Sequence, residues 1–376
     1  MPRRTQLYDF HARNGHMVDF SGFELPIWYK GIVPECKAVR NSVGIFDVSH
    51  MGRNLISGKD AAPFLDYVTT NDVSVLEVGR GHYSVMCNEK GGIVDDIIIC
   101  RLTEKQYLMV FNAGNREKDL AWLNAKAERF RVEIQHVSDA VSMFAVQGPN
   151  AEKVLQEMCD EDLSQISRFG GKYVRVDGNK GAVTRTGYTG EDGFEVFTWD
   201  APIEQPAKAV AVWNAILDHG KAYDIQACGL GARDVLRLEA GMCLYGNDID
   251  ESTTPLQARV SFVVKLTKQD FIGRDVLAKE KAEGAKRVRV GLKVLEAGIP
   301  RAGCDILKES QVVGRVTSGT FSPTINQGIA VGYVPKEYAK TGESLAIRVR
   351  NKDLRATVAG FPFYDSSKYG WQRTKA

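Results

Sequence analysis

The sequence predicts a mixed α+β fold that ends in a small all-β domain. Three observations carry this. Strand-like and helical runs alternate with hairpins through about residue 284, which argues for mixed sheets over a doubly wound parallel one. From about residue 285 the runs become short and closely spaced, with turn residues between them, as in a small barrel or sandwich. No GxGxxG fingerprint follows the early strands; GRGHYSV (79–85) holds a GxG but opens a strand, so a dinucleotide site is disfavoured.

In chain order, TQLYDFHARNG reads as a helix and FSGFELPIWYKG as a turn-rich stretch. VPECKAVRNSVG is a second helix that stops at Gly44. FDVSHMGRNLISG reads as one strand, followed by the helix GKDAAPFLDYVT. GHYSVMCNEKGGIVDDIIICRL has two strand-like runs around the turn signal NEKGG, a hairpin pattern. YLMVFNA is a strand, NREKDLAWLNAKAERF a long helix, AVSMFAVQG a strand and NAEKVLQEMC a helix. The hairpin GKYVRVDGNKGAVTRTG, the helix within PIEQPAKAVAVWNAILDHG and a helix in LGARDVLRLEAG that breaks near Gly241 come next. KQDFIGRDVLAKEKAEG, a loop and a charged helix, connects to the β-rich runs RVRVGLKVL, GCDILKE, QVVGRVTSG, GIAVGYVP, SLAIRVR and LRATVAG.

The 376 residues are enough for two or three domains, and 44% hydrophobic with 26% charged residues is ordinary for a globular chain. A net charge of +2, from 49 Lys and Arg against 47 Asp and Glu, gives no electrostatic footprint for nucleic acid. No apolar run reaches the roughly 18 residues of a membrane span, and MPRRTQLYDF lacks the apolar stretch of a secretory signal. The seven cysteines and six histidines are scattered, without CxxC or HExxH, which suits a reducing compartment and no metal centre.

Three stretches bear on chemistry. In GGIVDDIIICRL (91–102), Asp95 and Asp96 interrupt an apolar strand; adjacent strand residues face opposite sides, so at least one carboxylate enters a low-dielectric setting. Pattern does not choose between them, and a carboxylate that merely accepts turn N–H bonds fits equally. In TRTGYTGEDGFEVF (184–197), Gly187, Gly190 and Gly193 surround Tyr188 and permit close backbone approach to a ligand. Glu195, between Phe194 and Val196, is directed away from apolar neighbours; an exposed Glu on a half-wet strand is the plainer alternative. In LGARDVLRLEAG, Arg233 and Arg237 share a helix face and could grip a carboxylate or ring system, or pair locally with Asp234 and Glu239. No GxSxG motif or cysteine–histidine pairing supplies a nucleophile.

The order of FDVSHMG, TNDVS, SVMCNEKGGIVDD, FAVQGPNA, RTGYTGEDGFEV, GLGARDVLRLEAGMCLYGNDID, DFIGRDVL and GRVTSGTFSPT resembles the glycine cleavage system aminomethyltransferase family, the T-proteins, from near residue 5 to near residue 370. The resemblance implies a three-domain cloverleaf around a central folate channel. Its parts are a discontinuous ferredoxin-like first domain (1–50 and 138–240), a second α+β domain (51–137 and 241–284) and a C-terminal β-barrel (285–376). It implies tetrahydrofolate as co-substrate, no metal, and a lipoyl arm supplied by the glycine cleavage H-protein as partner. Neither nucleic acid nor membrane is an expected partner, and a monomer or weak dimer is expected, in the mitochondrial matrix or the bacterial cytoplasm according to source. Carried over by motif, Asp96 is the catalytic carboxylate and Glu195 the partner of the pterin edge. Tyr83, Tyr188 and Asn112 frame the folate, Met51 lies against it, and Arg233 holds folate or its glutamate carboxylate. SFVV places Phe262 where the family pattern carries Trp, and Tyr364 and Tyr369 have no secure counterpart. A folate-dependent demethylase and a non-enzymatic folate binder are the alternatives, and the intact GGIVDD argues against pure binding.

Overall fold

A computed structural model describes residues 2–373. Three sheet-centred units surround a central cavity, so the expected α+β class with a C-terminal barrel is what the chain forms. The first sheet has six strands in the order Gly171–Val176, Asn179–Thr184, Gly193–Thr198, Ser142–Gln147, Gly44–Asp47 and Gln226–Ala227. Only the last pair is parallel. Both faces of this sheet are covered, which explains its nearly unbroken apolar strands. Phe144, Val146, Phe194 and Val196 pack with Trp213 of the helix Ala207–Gly220. Met143, Ala145 and Phe197 point the other way, against Leu55, Leu108 and Val110 of the second sheet.

The second sheet is antiparallel: Gly81–Cys87, Ile93–Thr103, Gln106–Phe111, Gly52–Ser57 and Glu133–His136. Its outer face packs Ile97, Ile99 and Met109 with Phe64 and Leu123 of the helices Ala61–Val68 and Arg116–Ala127. The C-terminal barrel closes through Arg287–Val294, Gln327–Pro335, Gln311–Ser322, Asp305–Lys308, Ser344–Val349 and Lys352–Ala359.

Two sequence expectations change. FSGFELPIWYKG is not simply turns: it supplies Phe23–Trp28, which pairs with His16–Phe20 as a separate hairpin. FDVSHMGRNLISG is two strands in two different sheets, because Asp47 Oδ1 accepts the Ser49 N–H at 2.8 Å and turns the chain between Asp47 and Gly52.

The helix Leu230–Ala240 packs against the helix Ile32–Asn41, the strand Phe23–Trp28 and the barrel strand Gln311–Ser322. Its N-terminal side is held by Glu35, whose carboxylate accepts the N–H groups of Tyr29, Lys30, Gly31 and Gly229 at 2.7–3.2 Å. Its C-terminus ends on Gly241 at φ +79, the left-handed cap conformation that glycine adopts without steric cost.

Candidate active site

The central cavity has a volume of about 530 Å³, within the range of small-molecule sites. Met51, Tyr83, Asp96, Asn112, Tyr188, Glu195 and Arg233, far apart in the chain, all line it. Strand periodicity explains two of these placements. Glu195 pairs with Ala145 in register, so it shares the face that looks away from the helix layer and toward the second sheet. On the facing sheet, Asp95, Ile97 and Ile99 point to the outer helices, leaving Asp96 on the cavity side. The alternation slips at a bulge opposite Met86 and Cys87, so Val94 joins the core that holds Ile97, while Ile93 packs elsewhere. Strict alternation, which would put Ile93 on one face with Asp95, holds only beyond the bulge.

Asp96 is gripped from two sides. Tyr83, one strand over, donates its hydroxyl to Oδ2 at 3.1 Å, and the Asn112 amide donates to Oδ1 at 2.7 Å. The same amide nitrogen donates to Asp95 Oδ1 at 2.8 Å, so one NH2 group joins both carboxyls. Burial, and then the neighbouring Asp95 charge, push Asp96 up to about 7; the bonds from Asn112 and Tyr83 oppose that rise. A carboxyl with that value changes charge in the physiological range, as an acid–base or charge-stabilising group requires.

Across the cavity, Glu195 accepts the Thr186 hydroxyl, and burial raises its proton affinity above the usual carboxylate range. Arg233 stands over the Tyr188 ring at 4.8 Å, and among the described residues its guanidinium makes no hydrogen bond or ion pair. Arg237, one turn on, is spent structurally: it pairs with Asp234 at 2.7 Å and with buried Asp248. The helix face they share is thus divided between one cavity-lining arginine and one buried in the core. Tyr188 is fixed by its hydroxyl bond to the Cys243 carbonyl.

Phe262 is 65% exposed at the cavity and stacks on Tyr83, with centroids 6.2 Å apart and planes inclined by 28°. From the C-terminal tail it is Trp371 that lines the cavity, with the Arg168 guanidinium 3.9 Å over its ring. Tyr364 is buried beside Arg40, and Tyr369 packs edge-on against it. No local motif marks Arg168 or Trp371; only their convergence in space does. His50 was legible as the neighbour of Met51 in SHMG and also lines the wall; burial and Arg233 lower it to about 3, so it is neutral. Among the described residues no three His, Cys, Asp or Glu side chains are arranged to hold a metal ion, and no helix is long and apolar enough to cross a membrane.

Residues 7–268 match the family model described as the GCVT N-terminal domain, and residues 287–365 match the glycine cleavage T-protein C-terminal barrel domain. The chain belongs to the glycine cleavage T-protein family. Among T-protein relatives, the aminomethyltransferase of Caldanaerobacter subterraneus subsp. tengcongensis is 44% identical over 364 residues, 96% of each chain. That of Clostridium botulinum is 46% identical over 357 residues, 94% of this chain and 95% of the other. The crystal structure of glycine cleavage system aminomethyltransferase T from Bartonella henselae superposes with a TM-score of 0.90 at 33% identity, covering 99% of this chain and all of that one (100%).

Proposed function

We propose that this T-protein family member transfers the methylene carbon of an aminomethyl group, carried on the dihydrolipoyl arm of the H-protein, to tetrahydrofolate with release of ammonia. In the net reaction the carbon loses its bonds to sulfur and to the amino nitrogen and gains bonds to folate N5 and N10. Of the two protons leaving those nitrogens, one ends on the dihydrolipoyl sulfur and the other on ammonia. We assign the chain to three units, 1–50 with 138–240, 51–137 with 241–284, and 285–376; the three larger sheets each fall within one of them, with the hairpin His16–Phe20 and Phe23–Trp28 apart, which supports this division.

The observation that carries this reading is one cavity holding Asp96 opposite Glu195 and the unpaired Arg233. Glu195 offers two oxygens to the paired N–H donors of a pterin edge, a match of the kind that carboxylates make with guanidinium. Arg233 is free to take a folate carboxylate, and Tyr188, Met51 and Asn112 supply the flat walls and polar edge around the rings. Asp96, held by Tyr83 and Asn112, stabilises positive charge on the aminomethyl carbon while it moves, and orients the attacking nitrogen. Phe262, a largely exposed residue of the cavity lining, marks the side on which a flexible arm would enter. The relatives named above are bacterial, which supports a cytoplasmic location over a mitochondrial one.

The test is turnover with H-protein loaded with the aminomethyl group, with and without tetrahydrofolate. We expect Asp96→Asn to lower turnover by about a hundredfold or more with folate affinity largely kept. Turnover within a few-fold of wild type would remove Asp96 from the chemistry. Glu195→Ala should instead raise the folate Kd by about ten- to a hundredfold, the loss of charge-assisted hydrogen bonds. Unchanged affinity contradicts pterin recognition by Glu195.

A further inference from the structure

Behind the cavity wall lies a third carboxyl that the proposed chemistry does not use. Asp119, in the first turn of the helix Arg116–Ala127, is fully buried, and neither of its oxygens has an N–H or hydroxyl donor among the described residues. It stands against Asp95, which is equally buried. The groups facing it are few. Asp95 and Asp96 come from the strand Ile93–Thr103, and Lys118 from its own helix. Tyr245, Asp250 and Glu251 stand beyond, on the segment after Gly241. Lys118 does not neutralise Asp119: its ammonium donates to the Val94 carbonyl, the Tyr245 hydroxyl at 2.9 Å and Glu251 at 3.4 Å, and stands 4.0 Å from Asp119.

Two carboxyls in contact, both out of water, are not both ionised at neutral pH. Geometry decides which keeps the proton. Asp95 accepts three N–H bonds, from the Asn112 backbone at 2.9 Å, the Asn112 amide at 2.8 Å and the Asn115 amide at 2.7 Å. Asp119 accepts none. The helix N-terminus favours a negative Asp119 by only about 0.3–1 kcal/mol, against several kcal/mol for desolvating a second carboxylate. Burial and the Asp95 charge accordingly raise Asp119 far above the ordinary carboxyl range.

We propose that Asp119 is a positioning residue for Asp96: it keeps its proton at neutral pH and donates it to Asp95, which holds the Asn112 amide that in turn holds Asp96. The relay runs Asp119, Asp95, Asn112, Asp96: Asp95 holds Asn112 through its backbone N–H and its amide, and that amide holds Asp96. Its consequence is electrostatic as well as geometric. The cluster behind Asp96 carries one negative charge instead of two, so Asp96 can still ionise near neutrality. The role in turnover rests on the aminomethyl-transfer reading; the proton on Asp119 does not.

Three measurements on the full chain separate these statements. Infrared difference spectroscopy at about pH 9, where Asp96 is ionised, should show a protonated-carboxyl stretch in wild type that Asp119→Asn removes. Absence of that difference band overturns the proposal whatever the activity. In the H-protein assay, Asp119→Ala should lower kcat by about ten- to a hundredfold with KM for tetrahydrofolate within about twofold. Asp119→Asn, which still donates an N–H to Asp95, should recover most of that loss and leave the acidic limb of the pH–rate profile in place. A downward shift of that limb in Asp119→Asn means that a charge was removed, and overturns the proposal. Full turnover in Asp119→Ala overturns the positioning role. If wild type transfers no aminomethyl group, the functional reading fails, while the infrared result still decides where the proton lies.

Discussion

At the scale of single residues, the cavity works by separating groups that look alike in sequence. Asp95 and Asp96 are neighbours, yet Asp95 is fully buried among N–H donors and Asp96 opens on the cavity. Arg233 and Arg237 share a helix face, yet among the described residues only Arg237 has carboxylate partners. The Tyr83 hydroxyl stabilises the charged form of Asp96, so its removal moves the titration of Asp96 upward. Tyr83→Phe should therefore shift the acidic limb of kcat/KM to higher pH by about one unit, the equivalent of one hydrogen bond to a charged group. In wild type the limb is expected near 7, since on the proposed mechanism activity needs the carboxylate and Asp96 loses its charge as pH falls through that value. A pH–rate profile that does not move would show that this bond has no part in setting the charge of Asp96.

At the scale of elements, the helix Leu230–Ala240 and its cap decide where the cavity wall turns. The break near Gly241 was readable in the sequence, because a glycine after an apolar-periodic helix marks a left-handed C-cap. What it turns against was not. A Cβ at Gly241 would sit 2.4 Å from the ring of Phe361, a cavity-lining residue from the segment after the barrel. Gly241→Ala combines a strained φ with that clash and should lower stability by about 2–3 kcal/mol, read as a fall in the urea midpoint at constant slope. Folate affinity should fall with it, since Phe361 has to move. The bulge in Ile93–Thr103 is likewise silent in the sequence. Only pairing with Gly81–Cys87 shows where the alternation slips, and residues beyond it, Asp96 among them, take their face from that slip.

At the scale of the whole molecule, buried polar groups join the three units. Glu239, fully buried, accepts two bonds from Arg40 at 2.8 and 3.1 Å and reaches the barrel through Ser322 and Thr324. Arg237 and Asp248 meet Ser318 of the barrel, each at 2.8 Å, and Arg373 of the tail pairs with Glu191. Apolar contact alone would leave these units free to slide, whereas a buried ion pair requires one registration. Glu239→Ala leaves Arg40 partly uncompensated and should destabilise the chain by about 3–5 kcal/mol in urea unfolding. Because Arg40 and Glu239 lie outside the cavity lining, any surviving folded fraction should keep its affinity for folate.

Periodicity and turn chemistry in the sequence established most helices, the long hairpin, the β-rich C-terminal third and the presence of two odd strand carboxylates, because those signals are local. The ordered motifs then pointed to a family and, through it, to candidate residues in some of them, such as Asp96 in GGIVDD and Tyr188 and Glu195 in RTGYTGEDGFEV. Tertiary structure alone decided the rest. It placed FDVSHMGRNLISG in two sheets, left Arg233 free while Arg237 is paired, and brought Arg168 and Trp371 to the same wall. It also set Asp119 against Asp95. A sequence shows which carboxyl can be buried, but its charge depends on which donors and which other carboxyls share the space, and those partners come from distant parts of the chain.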